Sequence, residues 1–149
     1  MKVILTFDDG PSKRFGELLD YLIKNNQRAI FFCIGKNLEK AQNKKLIIKA
    51  IRNGFLIGNH SYSHHSFNRI SFNKARMEIT KTDKIIEDLY KIAGIKRKVK
   101  LFRFPSFRDG LFNKQKIQKL LKDLGYINPY HENKLFQRVN CHRKHYVNH

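Results

Sequence analysis

Ala29-Ile30-Phe31-Phe32-Cys33-Ile34 is an unbroken apolar run, with no polar residue to mark a solvent side. A strand of this kind is buried on both faces, which points to a parallel sheet with helices packed over it. The flanks agree. Upstream, Phe15, Leu18, Leu19, Leu22 and Ile23 recur at helical spacing. Before them, Lys2 to Thr6 is a β-prone run that ends in the turn signal Asp8-Asp9-Gly10-Pro11. Downstream, Leu38 to Arg52 carries Leu46, Ile47, Ala50 and Ile51 on one helical face, and Gly54 is placed to stop it. Phe55 to Ile57 reads as a brief third strand. Ser71 is placed to cap the longest helix, with Phe72, Ala75, Ile79, Ile86, Leu89 and Ile92 as its apolar positions and Gly94 beyond its end. Val99 to Phe104 is the fourth strand, and a helix starting at Asn113 turns Ile117, Leu120, Leu121 and Leu124 inward before Gly125.

This alternation predicts an α/β fold of parallel β/α repeats, wound either as an open sheet or as a barrel. A length of 149 residues is ordinary for one domain. After Tyr126-Ile127 the pattern fails: Asn128-Pro129 interrupts what should be a fifth strand, and Tyr130 to His149 has no apolar periodicity. The expected organisation is a β/α domain over 1–127 and an irregular or disordered tail over 128–149. The outer side of the fourth strand is then an unpaired sheet edge, open to self-association, with the oligomeric state undetermined.

Composition narrows the partners. The 31 Lys and Arg against 12 Asp and Glu give a net charge of +19, which raises the question of a polyanion partner. Most lysines, such as Lys40, Lys44, Lys45 and Lys49, fall on the polar side of helical patterns and read as a solvated surface. The one dense cluster, Lys96-Arg97-Lys98-Val99-Lys100, has no interleaved aromatic residues for stacking bases, so no specific nucleic-acid partner is expected. Salt-sensitive, nonspecific polyanion binding is. No stretch has the length of a membrane span. Met1 to Phe7 runs straight into acidic turn residues without a signal-peptide core, so the chain as written carries no export signal. Cys33 and Cys141 are too few for a disulfide framework, and Cys33 reads as a buried thiol.

Three polar motifs fall at the ends of the first, third and fourth strands: Thr6-Phe7-Asp8-Asp9-Gly10-Pro11, Asn59-His60-Ser61-Tyr62-Ser63-His64 and Arg103-Phe104-Pro105. All open at the carboxyl ends of parallel strands, the edge on which such sheets build their sites. On a helical turn, His60 and His64 would share one face and could share a cation. One carboxylate from the first loop completes two histidines and an aspartate with open positions. Such a set suits zinc above all, with cobalt, nickel or manganese as alternatives. The second carboxylate is then available as a base. Arg103 fits as the cation that orients it, and Pro105 stiffens the loop so that the Ser106 N–H can meet an oxyanion. Each motif also has a plain structural reading: a helix-capping Asp, surface histidines, a strand-end ion pair.

Together these residues resemble the polysaccharide deacetylase family, metal-dependent N- and O-deacetylases acting on chitin-like chains, peptidoglycan and acetylated xylan. The resemblance covers roughly Met1 to Ile127 and implies a distorted β/α barrel. It carries the base role to Asp8, metal ligation to Asp9, His60 and His64, contact with the base to Arg103, a place on the substrate side to Pro105, and the oxyanion N–H to Ser106. An acetylated glycan is the implied substrate. The family usually has an aromatic residue where Ser106 stands, and its fourth and fifth motifs, the latter supplying the general acid, have no counterpart here. His131, His142, His145 and His149 are given no role. The expectation is a deacetylase chain truncated or frame-disrupted after the third motif, lacking the C-terminal strands. The rival readings are an impaired relic and a glycan- or polyanion-binding protein. Relatives that work on cell walls are exported, whereas this chain as written would remain cytoplasmic.

Overall fold

The computed structural model describes residues 4–127. The stretch 128–149, read above as a tail, lies outside the described residues, as does Cys141. Among the described residues five strands alternate with helices: β1 (Leu5–Gly10), α1 (Phe15–Lys24), β2 (Ala29–Cys33), α2 (Gly35–Leu38), α3 (Ala41–Arg52), β3 (Leu56–Asn59), α4 (Phe72–Ala93), β4 (Lys100–Leu101), α5 (Lys114–Asp123) and β5 (Tyr126–Ile127). β1, β2 and β3 pair in parallel in that order, and β4 pairs in parallel with β5. A single parallel bridge, Asn59 to Phe102, joins the two sheets. Strand order therefore follows chain order with no reversal, the winding of a barrel wall rather than of a doubly wound sheet.

β2 shows why its run is apolar throughout. Ala29, Phe31 and Cys33 face a core shared with α1, α3 and α4, while Ile30 and Phe32 face a second cluster with Leu56, Val99 and Leu101. Phe31 anchors the first core, with the Phe15 ring centroid at 4.8 Å and those of Phe7 and Phe55 at 5.5 Å. A third cluster gathers Phe67, Ala75, Ile79, Phe102 and Ile117 beneath the carboxyl ends of β3 and β4. Cys33 is fully buried, and burial pushes its thiol pKa far up, so it is inert packing. Among the described residues no helix is long and apolar enough to cross a membrane.

Several elements depart from the sequence expectation. The helix expected over Leu38 to Arg52 is two, because Lys40 is extended (ψ 128°) and Asn43 Nδ2 donates at 2.8 Å to the Asn37 carbonyl at the break. On α4 the inward stripe is Ala75, Glu78, Ile79, Thr82, Ile86, Leu89, Tyr90 and Ala93, whereas Ile92 is exposed. The fourth strand shrinks to two residues: Arg103 N–H still reaches Asn59 O at 3.0 Å, but the chain then enters a 3₁₀ turn at Pro105, which has no N–H to extend a ladder. Its outer side is not left unpaired, since β5 adds Lys100 to Tyr126 and Leu101 to Ile127. The dense basic cluster is partly internal. The Arg97 guanidinium is buried against Asp83 at 2.7 Å, and Lys100 reaches the same carboxylate at 2.8 Å.

Candidate metal centre

β1 carries both aspartates. Phe7 pairs with Phe31 and Gly10 with Cys33, so β1 spends one residue more than β2 over this span, a bulge at Asp8-Asp9 with Asp9 in the left-handed region (φ 62°). Bulges re-aim side chains. Here the neighbours part company: Asp8 goes to Arg103 and Asp9 to the histidines. Asp9 Oδ1 lies 3.3 Å from His60 Nε2 and 3.0 Å from His64 Nε2.

The histidines are not on a helical turn. They sit in an irregular loop after β3 in which Ser61 (φ 63°) and His64 (φ 60°) are left-handed. The rings still meet, with centroids 5.0 Å apart. His60 is buried and its Nδ1 is 2.8 Å from the Arg103 carbonyl. A carbonyl only accepts, so Nδ1 carries the proton and Nε2 is left with its lone pair turned toward Asp9. Burial holds the imidazole pKa below its ordinary value, against the opposing pull of the Arg103 carbonyl and the Asp8 charge, which keeps the neutral form.

The donor set fits a divalent cation. One atom each from Asp9, His60 and His64 lie within 4.8 Å of one another. Tetrahedral ligands at zinc–nitrogen and zinc–oxygen distances stand about 3.3 Å apart, close to the two carboxylate–imidazole separations. Three protein ligands leave positions for water and substrate.

Arg103 links this set to the second carboxylate. Its Nη1 donates to Asp8 Oδ1 at 2.7 Å and to Thr6 Oγ1 at 3.0 Å, its guanidinium stacks 4.1 Å from the Phe32 ring centroid, and its carbonyl holds His60. Pro105 is buried, Ser106 to Arg108 directly after it are exposed, and Ser106 is left-handed (φ 54°). Beside Arg103 a cleft of about 530 Å³ is walled by Phe102, Phe104, Phe107 and Tyr126.

Two residues of the site have no role that the sequence announces. Asn59, fully buried, accepts the Ser61 N–H at 2.9 Å on Oδ1 and donates to the Tyr126 hydroxyl at 2.7 Å. Glu78, fully buried on α4, accepts the amides of Tyr62 and Ser63. The one signal of Glu78 in sequence is an acid on the inward stripe of a helix. Gly35 is required by this packing, since a Cβ there would lie 2.3 Å from Thr82 Oγ1 and 2.8 Å from the Tyr62 ring.

These features define a β/α-barrel-type domain with convergent donor atoms from Asp9, His60 and His64, and an arginine-held aspartate beside them, on the carboxyl rim. The family model described as polysaccharide deacetylase matches residues 1–128. The chain is 43% identical over 90 residues to a peptidoglycan-N-acetylglucosamine deacetylase of Bacillus cereus, covering 59% of this chain and 32% of that protein. It is 32% identical over 123 residues to the peptidoglycan-N-acetylmuramic acid deacetylase PdaC of Bacillus subtilis, covering 82% of this chain and 25% of that one. Among solved structures, a family 4 carbohydrate esterase from Streptomyces lividans in complex with acetate matches with a TM-score of 0.69 at 31% identity, over 83% of this chain and 59% of that one. The chain thus spans from a quarter to a third of the length of these two curated relatives. It belongs to the polysaccharide deacetylase family.

Proposed function

We propose that this chain carries the base and metal-ligating parts of a hydrolytic site that removes acetyl groups from an N-acetylated glycan, of the peptidoglycan or chitin-oligomer type. One observation carries the reading: a single bulge sends Asp9 to two imidazoles and leaves Asp8, its neighbour, gripped by Arg103. Asp9, His60 and His64 would hold a divalent ion, zinc in the first instance, which would supply a Lewis acid to acidify water and polarise the acetyl carbonyl. Asp8 takes the proton of the attacking water, and Arg103 fixes the direction from which it does so. The Ser106 N–H donates to the oxygen on which charge develops. Protonating the departing amine requires an acid that the residues assigned here do not provide, so an ester, whose leaving group needs less help, is cleaved faster than an amide.

The test uses the full chain, zinc and an acetylated chito-oligosaccharide, with acetate release and bound metal both measured. Asp8→Asn is expected to keep its metal and lose ~10²–10⁴ in rate, the range for removing a general base. His64→Ala is expected to lose both metal and turnover. Acetate release that survives chelation, or stoichiometric zinc in His64→Ala, would overturn the reading.

A further inference from the structure

The loop between the two histidines belongs to no helix or strand, yet none of its amides from Ser61 to His64 is left open. Ser61 N–H goes to Asn59 Oδ1 (2.9 Å), Tyr62 N–H and Ser63 N–H both go to Glu78 Oε2 (3.0 and 2.7 Å), and His64 N–H goes to Ser61 Oγ (3.1 Å). Four consecutive amides are therefore taken by side-chain oxygens, and Glu78 takes the middle two. Its other oxygen accepts the Ser63 hydroxyl at 2.6 Å and faces Lys74 Nζ at 3.3 Å. The carbonyl side is pinned too, since Gly35 N–H and Lys36 N–H donate to Ser61 O and Tyr62 O.

A carboxylate with no exposed surface costs several kcal/mol unless its lone pairs are filled. Burial pushes the Glu78 carboxyl up, but the Ser63 and Lys74 hydrogen bonds outweigh it and hold the group below the ordinary carboxylate value. Helix packing alone does not call for an acid here, because neighbouring inward positions on α4 are Ala75 and Ile79. What the acid contacts is the turn that joins the imidazoles.

We propose that Glu78 is a positioning residue for the metal centre: by holding the Tyr62 and Ser63 amides it fixes the turn that brings His60 and His64 to one point beside Asp9. This rests on the reading of Asp9, His60 and His64 as the ligand set. Glutamine at this position keeps an oxygen for both amides and an NH₂ that the Ser63 hydroxyl can accept, whereas alanine orphans both amides.

The experiment measures zinc affinity by chelator competition, and the visible spectrum of the cobalt form, on the full chain. Wild type, Glu78→Gln, Glu78→Ala, His64→Ala and the helix-cap variant Ser71→Ala are compared, with unfolding of each metal-free protein alongside. Glu78→Ala is expected to weaken zinc about 10- to 100-fold, the usual effect of losing a group that orients a ligand, and to alter the cobalt spectrum. Glu78→Gln should stay within about threefold of wild type on the same scale. Ser71→Ala, destabilised at the start of α4 through the Lys74 amide and not at the amides that Glu78 holds, should bind as wild type does. If Glu78→Ala does not fold, Glu78→Asp, whose carboxylate is one methylene short of the amides, carries the same expectation. Wild-type affinity in Glu78→Ala or Glu78→Asp, while His64→Ala binds nothing, overturns the proposal and leaves the ligand set standing. A wild type without zinc overturns the ligand set, and the proposal with it.

Discussion

Two loops leave the same rim, residues 60–64 after β3 and 104–113 after β4, and they are held by opposite means. Each departs from regular backbone through left-handed residues that are not glycine, Ser61 and His64 in the first, Ser106 and Phe107 in the second. Such residues cost on the order of 1–3 kcal/mol each and persist where the surroundings over-determine them. In the first loop buried side chains do so. In the second the hold is mostly local: Phe107 N–H to Phe104 O and Arg108 N–H to Pro105 O, with Asn68 Oδ1 taking the Gly110 and Leu111 amides further on. Its Phe107, Leu111 and Phe112 stay exposed. A ligand loop must place its donors to within about 0.5 Å. Under the proposed function the second loop only walls a cleft and has no such requirement, and the buried polar groups are distributed accordingly.

The strongest way to break the contrast is to attack the first loop from beneath. Asn59 rests on the Tyr126 hydroxyl, which donates at 2.8 Å to Asp83, the partner of Arg97 and Lys100. The Arg97 side chain is 1% exposed, and its Nε and Nη2 have no hydrogen-bond partner among the described residues. Among the described residues Asp83→Asn leaves that charge opposed only by Glu87 at 3.8 Å, so a loss of about 3–5 kcal/mol in urea unfolding at pH 7 is expected. Burial raises the Asp83 pKa, but the Lys100 hydrogen bond, the Arg97 charge and the Tyr126 hydrogen bond together bring it below 3.8. A depressed carboxylate stabilises the fold above its ordinary value and loses that contribution as pH falls through the lowered one. Wild type and variant should therefore approach each other as pH falls below 3.8 and converge only below the lowered value. A gap that persists there would assign the effect to shape rather than charge.

Asn68→Ala is the matching cut in the second loop. It removes one side-chain oxygen that serves two amides, but at a half-buried position where water can replace part of it. The expected cost is about 1–2 kcal/mol, at the lower end for orphaned amides. Zinc affinity should not move. A fall in affinity comparable to that of Glu78→Ala would show that both loops carry the ligand geometry, and the contrast would be lost.

The parts of this architecture that are periodic or local were legible in the chain. The two-sided burial of β2 follows from its apolar run, Ser71 Oγ does accept the Lys74 N–H, and Gly94 does close α4 in the left-handed region (φ 74°). Asp9, His60 and His64 do converge. Sequence reasoning failed where a tertiary hydrogen bond replaces a backbone one. The spacing of four between His60 and His64 reads as a helical turn because nothing local reports that Glu78, fifteen and sixteen residues away, takes the intervening amides. Asn59 stands in a motif with no role legible in the sequence, since its partners lie on α4 and β5. The short fourth strand reflects the same limit, because a ladder depends on its neighbour's backbone as much as on its own residues.

The smallest expected effect sharpens the comparison most cheaply. Phe112 is 95% exposed and Phe107 is 73% exposed, so truncating either buries or uncovers almost no apolar area. Phe112→Ala and Phe107→Ala should each shift unfolding free energy by no more than about 0.5 kcal/mol. Phe107 differs in one respect: its ring stands 6.0 Å from the Arg103 guanidinium and walls the cleft beside it. If the second loop is a wall and not a scaffold, Phe107→Ala leaves both stability and zinc affinity at wild-type values. The Arg103 grip on Asp8 does not depend on it, because Phe32 packs against the same guanidinium at 4.1 Å from β2. Urea titration and chelator competition on the two variants read both quantities. A loss of zinc in Phe107→Ala would mean that the exposed ring, through Arg103 and its carbonyl bond to His60, is part of what holds the ligands.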